Sequence, residues 1–107
     1  MKGTYLRFYT HENHRHGRTL LYEWLLETAK ELGVHGGSAF RAIAGFGRHG
    51  VIHEQHFFEL AGELTVEVEF LLPREQAEKL LDIVRSERVR VVYSMSEAEI
   101  GETNGNT

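Results

Sequence analysis

The order in which two hydrophobic periods alternate along the chain constrains its fold more than any other feature of the sequence. Residues 4–10 are aromatic and β-branched with a period near two, which predicts a strand. From about Thr19 to Leu32 the apolar residues recur in steps of one, three and four, as on an amphipathic helix. Gly33 is placed to end that helix.

The second half of the chain repeats the alternation of strands and helices. Gly36 and Gly37 open a second strand that runs to about Ala44, and residues 65–70 alternate cleanly as a third. After Pro73, a stripe of apolar residues at helical spacing predicts a second helix: Ala77, Leu80, Leu81 and Val84. Residues 89–95 make a last strand. The predicted order is therefore β-α-β-β-α-β.

This order predicts an α+β fold of the ferredoxin-like class, with a four-stranded antiparallel sheet and two helices on one face. The other sheet face then needs a cover. The chain has only 107 residues and no cysteine, so disulfides and thiolate-bound metals cannot stabilise the small core. We expect another subunit to cover that face. Residues 1–100 form a single predicted domain, and residues 101–107, rich in Gly, Asn and Thr, form a predicted disordered tail.

Charge and hydropathy exclude two classes of partner. The net charge is −4, and basic residues are interspersed with acidic ones rather than gathered on one face, so generic nucleic-acid binding is not expected. No apolar run approaches the ~20 residues that span a bilayer, and no leader-like segment begins the chain. We therefore expect a cytoplasmic protein that does not insert into membranes.

A glycine-rich segment, Gly45-Phe46-Gly47-Arg48-His49, opens a long connection without a sustained period, the 47–62 loop. Connections of this length in compact domains are usually functional or disordered. Glycine amides beside an arginine fork make a reasonable cradle for an anion such as phosphate. The plainer interpretation is a glycine-rich turn with a solvated arginine.

The segment resembles the Gly-Phe-Gly-Arg signature at the base of the T-loop in PII signalling proteins, and Glu31 to Gly36 and Glu67 to Glu75 also resemble that family. The resemblance covers about residues 4–100 and is greatest to a PII-like family of unknown function. It implies a homotrimer without enzymatic activity that binds an adenine nucleotide in clefts between subunits. It also implies that the 47–62 loop docks on a partner protein, for example a membrane transporter or an enzyme.

By the same resemblance, Gly45, Gly47, Arg48 and His49 match the positions at the loop base that contact the nucleotide, with Phe46 between them. His49 stands where PII proteins usually carry the glutamine that helps to hold Mg²⁺.

Three departures from the family pattern change the expected ligand and the expected regulation. The connection Arg85-Ser86-Glu87-Arg88 lacks the glycines of the PII phosphate loop, and the C-terminal segment carries Glu97, Glu99 and Glu102 where PII proteins are basic. Repulsion between carboxylates and a triphosphate favours AMP or ADP over ATP. The loop from 47 to 64 also contains no Tyr, Ser or Thr, so it has no acceptor for uridylylation or phosphorylation.

Seven histidines in 107 residues leave a second hypothesis open. His11, His14 and His16, with Glu12 among them, are candidate ligands for a divalent transition metal, which would make the protein a metal-binding trimer. The alternative is that these imidazoles are merely solvated in a polar loop. A third hypothesis, an enzyme with a histidine base, lacks a nucleophile–base pair or a carboxylate dyad.

Overall fold

The structure is a computed structural model that describes residues 1–46, 52–54 and 64–105. In chain order its elements are β1 (Lys2–His11), β2 (Arg15–His16), β3 (Thr19–Leu20), α1 (Leu21–Glu31), β4 (Gly37–Arg41), β5 (Ala44–Phe46), β6 (Ile52–Glu54), β7 (Thr65–Leu72), α2 (Arg74–Ser86) and β8 (Val92–Glu99).

The main sheet has four strands in the order β4-β7-β1-β8, and every neighbouring pair is antiparallel. Two short hairpins, β2–β3 and β5–β6, stand apart from it. The predicted α+β fold with two helices and a four-stranded antiparallel sheet is confirmed.

Alternation along β1 and β7 places the core on one face of the sheet. Leu6 and Phe8 of β1 are fully buried opposite Phe70 and Val68 of β7, and the Phe8 and Phe70 rings meet edge to face. The helices complete this core with the stripes that the sequence predicts: Leu21, Leu25 and Ala29 from α1, and Ala77, Leu80, Leu81 and Val84 from α2. A Cβ on Gly37 would collide with the Phe70 ring, which explains a glycine at the start of β4.

Both helices end in the same hydrogen-bonded motif. Val34 N–H donates to Ala29 O (3.1 Å) after α1, and Val89 N–H donates to Val84 O (3.2 Å) after α2. The motif requires a left-handed residue, which is Gly33 (φ 89°) after α1 but Arg88 (φ 58°) after α2. The connection Arg85-Ser86-Glu87-Arg88 lacks glycine, yet at Arg88 it adopts the left-handed conformation that glycine favours.

The structure differs from the sequence prediction in one predicted loop and in the bounds of two strands. The predicted loop from His11 to Gly17 contains β2, which pairs with β3. The second strand ends at Arg41 and not at Ala44. The last strand runs from Val92 to Glu99 rather than over 89–95, because the turn at Arg88 delays its pairing with β1.

Both ends of the described chain lie at one end of the sheet. Met1 and Ile100 exchange two hydrogen bonds of 2.8 Å, and Gly105 N–H then closes a turn onto Glu102 O. Among the described residues, neither helix has the length and apolar character needed to cross a bilayer.

We predict that Arg88→Gly stabilises the protein. A left-handed conformation costs a non-glycine residue about 1–2 kcal/mol, partly offset by the greater freedom of glycine in the unfolded chain. The free energy of unfolding, measured by denaturant titration at one fixed chain concentration, should rise by about 0.5–1 kcal/mol. Gly33→Ala, the matched control at the other helix end, should lower it. A loss of stability in Arg88→Gly would show that its side chain has a stabilising contact in the folded protein.

Candidate functional site

Three strand ends meet where the long connection leaves the sheet and returns to it. Glu12 N–H, just after β1, donates to Leu64 O (2.9 Å), and Ala42 N–H, just after β4, donates to Thr65 O (2.8 Å). The side chains of Glu12 and Arg41 also pair here, Oε2 to Nε at 3.0 Å. The connection therefore begins and ends at a tightly bonded base.

Part of the connection that the sequence predicts as irregular is a hairpin. β5 pairs with β6 in a register that places Gly45 opposite His53 and Phe46 opposite Ile52. Of the predicted nucleotide-binding residues, the structure thus places Gly45 and Phe46 on β5. Gly47, Arg48 and His49, like most of the 47–62 loop, lie outside the described residues.

Gly45 and Phe46 lie on an open surface. Phe46 is 73 % exposed, and a Cβ at Gly45 would meet no atom of the described residues within 4 Å. Gly45 does not take a positive φ either, so conformational freedom does not explain a glycine here. The described residues therefore give no structural requirement for glycine at this position.

The three histidines of the predicted metal site make separate contacts. His14 Nδ1 lies 3.0 Å from Thr10 Oγ1, whereas His16 Nε2 lies 3.0 Å from Glu87 Oε1 and its ring is 4.5 Å from that of Trp24. His11 belongs to β1, opposite Thr65. Within the described ranges, no three His, Cys, Asp or Glu side chains come together as a metal site.

The sheet face away from the helices carries a polar cluster. The Arg7 guanidinium stacks on the Tyr5 ring at 3.8 Å and lies 3.6 Å from Glu67 and 3.7 Å from Glu69. Tyr5 Oη donates to Glu69 Oε2 at 2.6 Å, a bond that raises the pKa of the tyrosine. The cluster thus places two carboxylates beside one arginine.

Glu67 is the member of this cluster whose charged form is disfavoured. Burial and then the charge of Glu69 raise the pKa of Glu67 above its ordinary value, and the attraction of Arg7 offsets only part of this effect.

The two edge strands of the sheet, β4 and β8, carry exposed apolar side chains at the same end of the sheet. Phe40 of β4 is 53 % exposed and Val92 of β8 is 59 % exposed. The two residues terminate one cross-strand row, Phe40–Glu67–Tyr9–Val92, and so share a face. Ile43 and Phe46, which follow β4, are also exposed, whereas the partly exposed Tyr93 lies opposite Phe8 on the other face of the sheet.

The acidic C-terminal segment lies at the other end of the sheet. Glu99 pairs with Lys2 and Glu97 with Thr4, and these residues line a cleft of about 740 Å³ together with Arg74. The loop base follows His11 at the far end of β1. Within one chain, Glu97 and Glu99 therefore lie at the opposite end of the sheet from the loop base, where the sequence predicts phosphate binding.

The arginines of the α2–β8 connection occupy the loop-base end instead. Tyr9 pairs with Val92, so residues 88–90 lie level with the end of β1. Arg88 and Arg90 are exposed, and no described residue forms a hydrogen bond or ion pair with either side chain. Sequence reasoning missed this placement, although the basic residues were visible in the pattern Arg88-Val89-Arg90.

Comparison with solved structures defines the class of protein. The chain is similar to CPII of Thiomonas intermedia K12, solved with ADP and bicarbonate, at 19 % identity and a TM-score of 0.68, covering 96 % of this chain and 92 % of that one. It is also similar to a putative PII-like signaling protein of Thermus thermophilus, at 18 % identity and a TM-score of 0.63, covering 92 % and 87 %. The fold is that of the PII-like proteins.

Sequence comparison gives the family. The family DUF190, described as Uncharacterized ACR, matches residues 3–100, and the chain belongs to it. A UPF0166 protein of Aquifex aeolicus (strain VF5) is 34 % identical over 101 residues, which cover 87 % of this chain and 96 % of that protein. The resemblance to an uncharacterised PII-like family is confirmed.

We predict that Glu67→Gln stabilises the protein at pH 7 but not in acid. A raised pKa means that the folded protein favours the protonated carboxyl group of Glu67. The stabilisation from this protonated group is complete below about pH 4.5 and is lost as the pH rises through the folded-state pKa. A neutral glutamine removes that loss. Because Glu67 is about one-third exposed, the gain at pH 7 should be only a few tenths of a kcal/mol.

Denaturant titrations at several pH values, at one chain concentration, would measure this difference. Glu69→Gln is the control, because it weakens the anionic acceptor of Tyr5 and should lower stability at pH 7. A Glu67→Gln gain that persists unchanged below pH 4 would contradict the electrostatic cause.

Proposed function

We propose that this protein is a PII-like regulatory protein that binds an adenine nucleotide such as AMP or ADP between subunits and acts on a partner protein through the 47–62 loop. The observation that carries the proposal is the Gly45–His49 segment at the base of the long connection, in a fold shared with CPII. CPII has been solved bound to ADP, AMP and bicarbonate. Binding rather than catalysis is the proposed activity.

Assembly into a homotrimer is the first element of the proposal. Among the described residues, no strand pairs with the outer edge of β4 or β8, and such edges invite pairing with another chain. Three successive antiparallel pairs separate β4 from β8, so the two edges run antiparallel to each other. Pairing β8 of one copy with β4 of the next would continue the same sheet. The number three comes from the resemblance to PII proteins.

The cross-strand row supports this head-to-tail arrangement. An antiparallel seam brings the start of β8 beside the end of β4, so Val92 of one copy would meet Phe40 of the next. Both side chains lie on the same face and at the same level of the sheet. The seam would bury apolar surface that is exposed on a single chain.

The same seam would complete a ligand cleft. The hairpin with Gly45 and Phe46 follows β4, whereas Arg88 and Arg90 precede β8. Pairing the two edges would bring these arginines of one copy towards the loop base of the next. They would supply positive charge for a nucleotide phosphate in place of the glycine-rich loop that this chain lacks.

We predict that Phe40→Glu and Val92→Glu each dissociate the assembly. A buried carboxylate without a partner opposes the seam, and the lost apolar burial is worth about 1.5–3 kcal/mol per seam. Analytical ultracentrifugation should give three times the 12.3 kDa of one chain for the native protein and mostly monomer for both variants. Arg18→Glu, on the exposed β2–β3 turn, should leave the trimer intact. A native protein that stays monomeric at micromolar concentration would rule out a cleft between subunits.

We predict that Arg48→Ala weakens AMP binding. Loss of a charge-assisted hydrogen bond to phosphate costs about 1.5–3 kcal/mol, which is roughly ten- to a hundredfold in Kd. Isothermal titration calorimetry with AMP and ADP would measure this change. The Kd of Arg48→Lys should lie between those of the native protein and Arg48→Ala, and Arg18→Ala should keep the native Kd. An Arg48→Ala variant that binds AMP with the native Kd would show that Arg48 does not contact the nucleotide. Heat from Zn²⁺ but none from either nucleotide would favour the histidine-metal hypothesis instead.

A further inference from the structure

The ion pair between Glu12 and Arg41 joins two strands that are not neighbours. β1 and β4 lie on opposite sides of β7, so the contact between Glu12 Oε2 and Arg41 Nε, at 3.0 Å, reaches across the beginning of β7. The ion pairs on α2, by contrast, join residues three or four positions apart on one helix: Arg74–Glu78, Lys79–Glu75 and Arg85–Asp82. The Glu12–Arg41 pair is long-range.

The carboxylate of this pair is shielded from solvent, whereas the Arg41 side chain is 53 % exposed. The Glu12 side chain is 16 % exposed, and its Oε2 atom is buried. The Nε–H of Arg41 is not aligned to donate to that oxygen, so the contact acts through charge rather than as a hydrogen bond. Removing Arg41 would leave the Glu12 carboxylate partly desolvated, which is more damaging than breaking an exposed pair.

The pair sits at the two points where the long connection leaves and re-enters the sheet. Ala42, next to Arg41, is bonded to Thr65, and the amide of Glu12 is bonded to Leu64. The hairpin that carries Gly45 and Phe46 begins two residues after Ala42. Arg41, the last residue of β4, is therefore separated from that hairpin by only Ala42 and Ile43.

We propose that Glu12 and Arg41 are positioning residues that fix the hairpin base and thereby set the affinity of the ligand site. They act by holding three strand ends together and not by touching the ligand. A binding site loses affinity when its supporting residues leave it free to move. The part of the proposal that concerns affinity rests on the nucleotide binding proposed above.

Amide hydrogen exchange tests the positioning role without any ligand. In Glu12→Gln, which keeps the size of the side chain, exchange at Ala42 and Phe46 should accelerate about tenfold, while Leu6 and Phe8 in the core of β1 keep their native rates. Glu78→Gln is the matched control, because it breaks an Arg Nε–Glu Oε1 contact of the same 3.0 Å that is exposed and local. Unchanged rates at Ala42 and Phe46 in Glu12→Gln would overturn the proposal.

Titration with AMP tests the link to the ligand site. Glu12→Gln should weaken AMP roughly three- to tenfold, and the exchanged pair Glu12→Arg with Arg41→Glu should restore affinity towards the native value. Native affinity in Glu12→Gln with a lowered Tm would show that the pair serves stability alone, which overturns the proposal. If the native protein binds neither AMP nor ADP, the proposed function fails, and the exchange rates still decide whether the pair holds the hairpin base.

Discussion

The pairing of β1 between β7 and β8 is the interaction on which the rest of this structure depends. β1 hydrogen-bonds to both neighbours along nearly its whole length, so its side chains are divided strictly between two faces. Leu6 and Phe8 go to the helical layer, whereas Tyr5, Arg7 and Tyr9 go to the open face. A shift of one residue in this register would exchange the core for the polar cluster.

The same pairing decides where function can be located. Because β1 extends from Lys2 to His11, it separates the acidic cleft at one end of the sheet from the loop base at the other. The loop base is held by backbone bonds and by the Glu12–Arg41 pair, whereas Phe46, on the hairpin that follows it, is exposed. This arrangement is compatible with the site between subunits that is proposed above.

Much of the fold could be predicted because it depends on local periodicity. The buried stripe of α2 contains the four residues that its spacing indicated, and Gly33 ends α1 with the positive φ expected of it. The last strand was predicted three residues too early, because Val89 and Val91 continue the alternation of a strand while Arg88 turns the chain. Local pattern does not reveal a left-handed arginine, since its conformation is stabilised by the hydrogen bonds of the helix end.

The candidate site was less accessible to sequence reasoning. The cluster of His11, His14 and His16 along the chain suggested a common metal ion, but the three residues lie on β1, in the turn after it and on β2, and His14 and His16 contact different neighbours. Conversely, Glu12 and Arg41 are 29 positions apart and gave no signal in the sequence. Proximity along the chain was a poor guide to proximity in space.

The sequence by itself determined the order of strands and helices, the apolar face of each helix and the Gly45–His49 segment, because hydrophobic period and glycine content act through local geometry. Only the tertiary structure decided which ends of the strands meet. The separation of Glu97 and Glu99 from the loop base, the alignment of Phe40 with Val92 and the pairing of Glu12 with Arg41 all follow from strand order and register. These depend on long-range pairing, which no local pattern encodes.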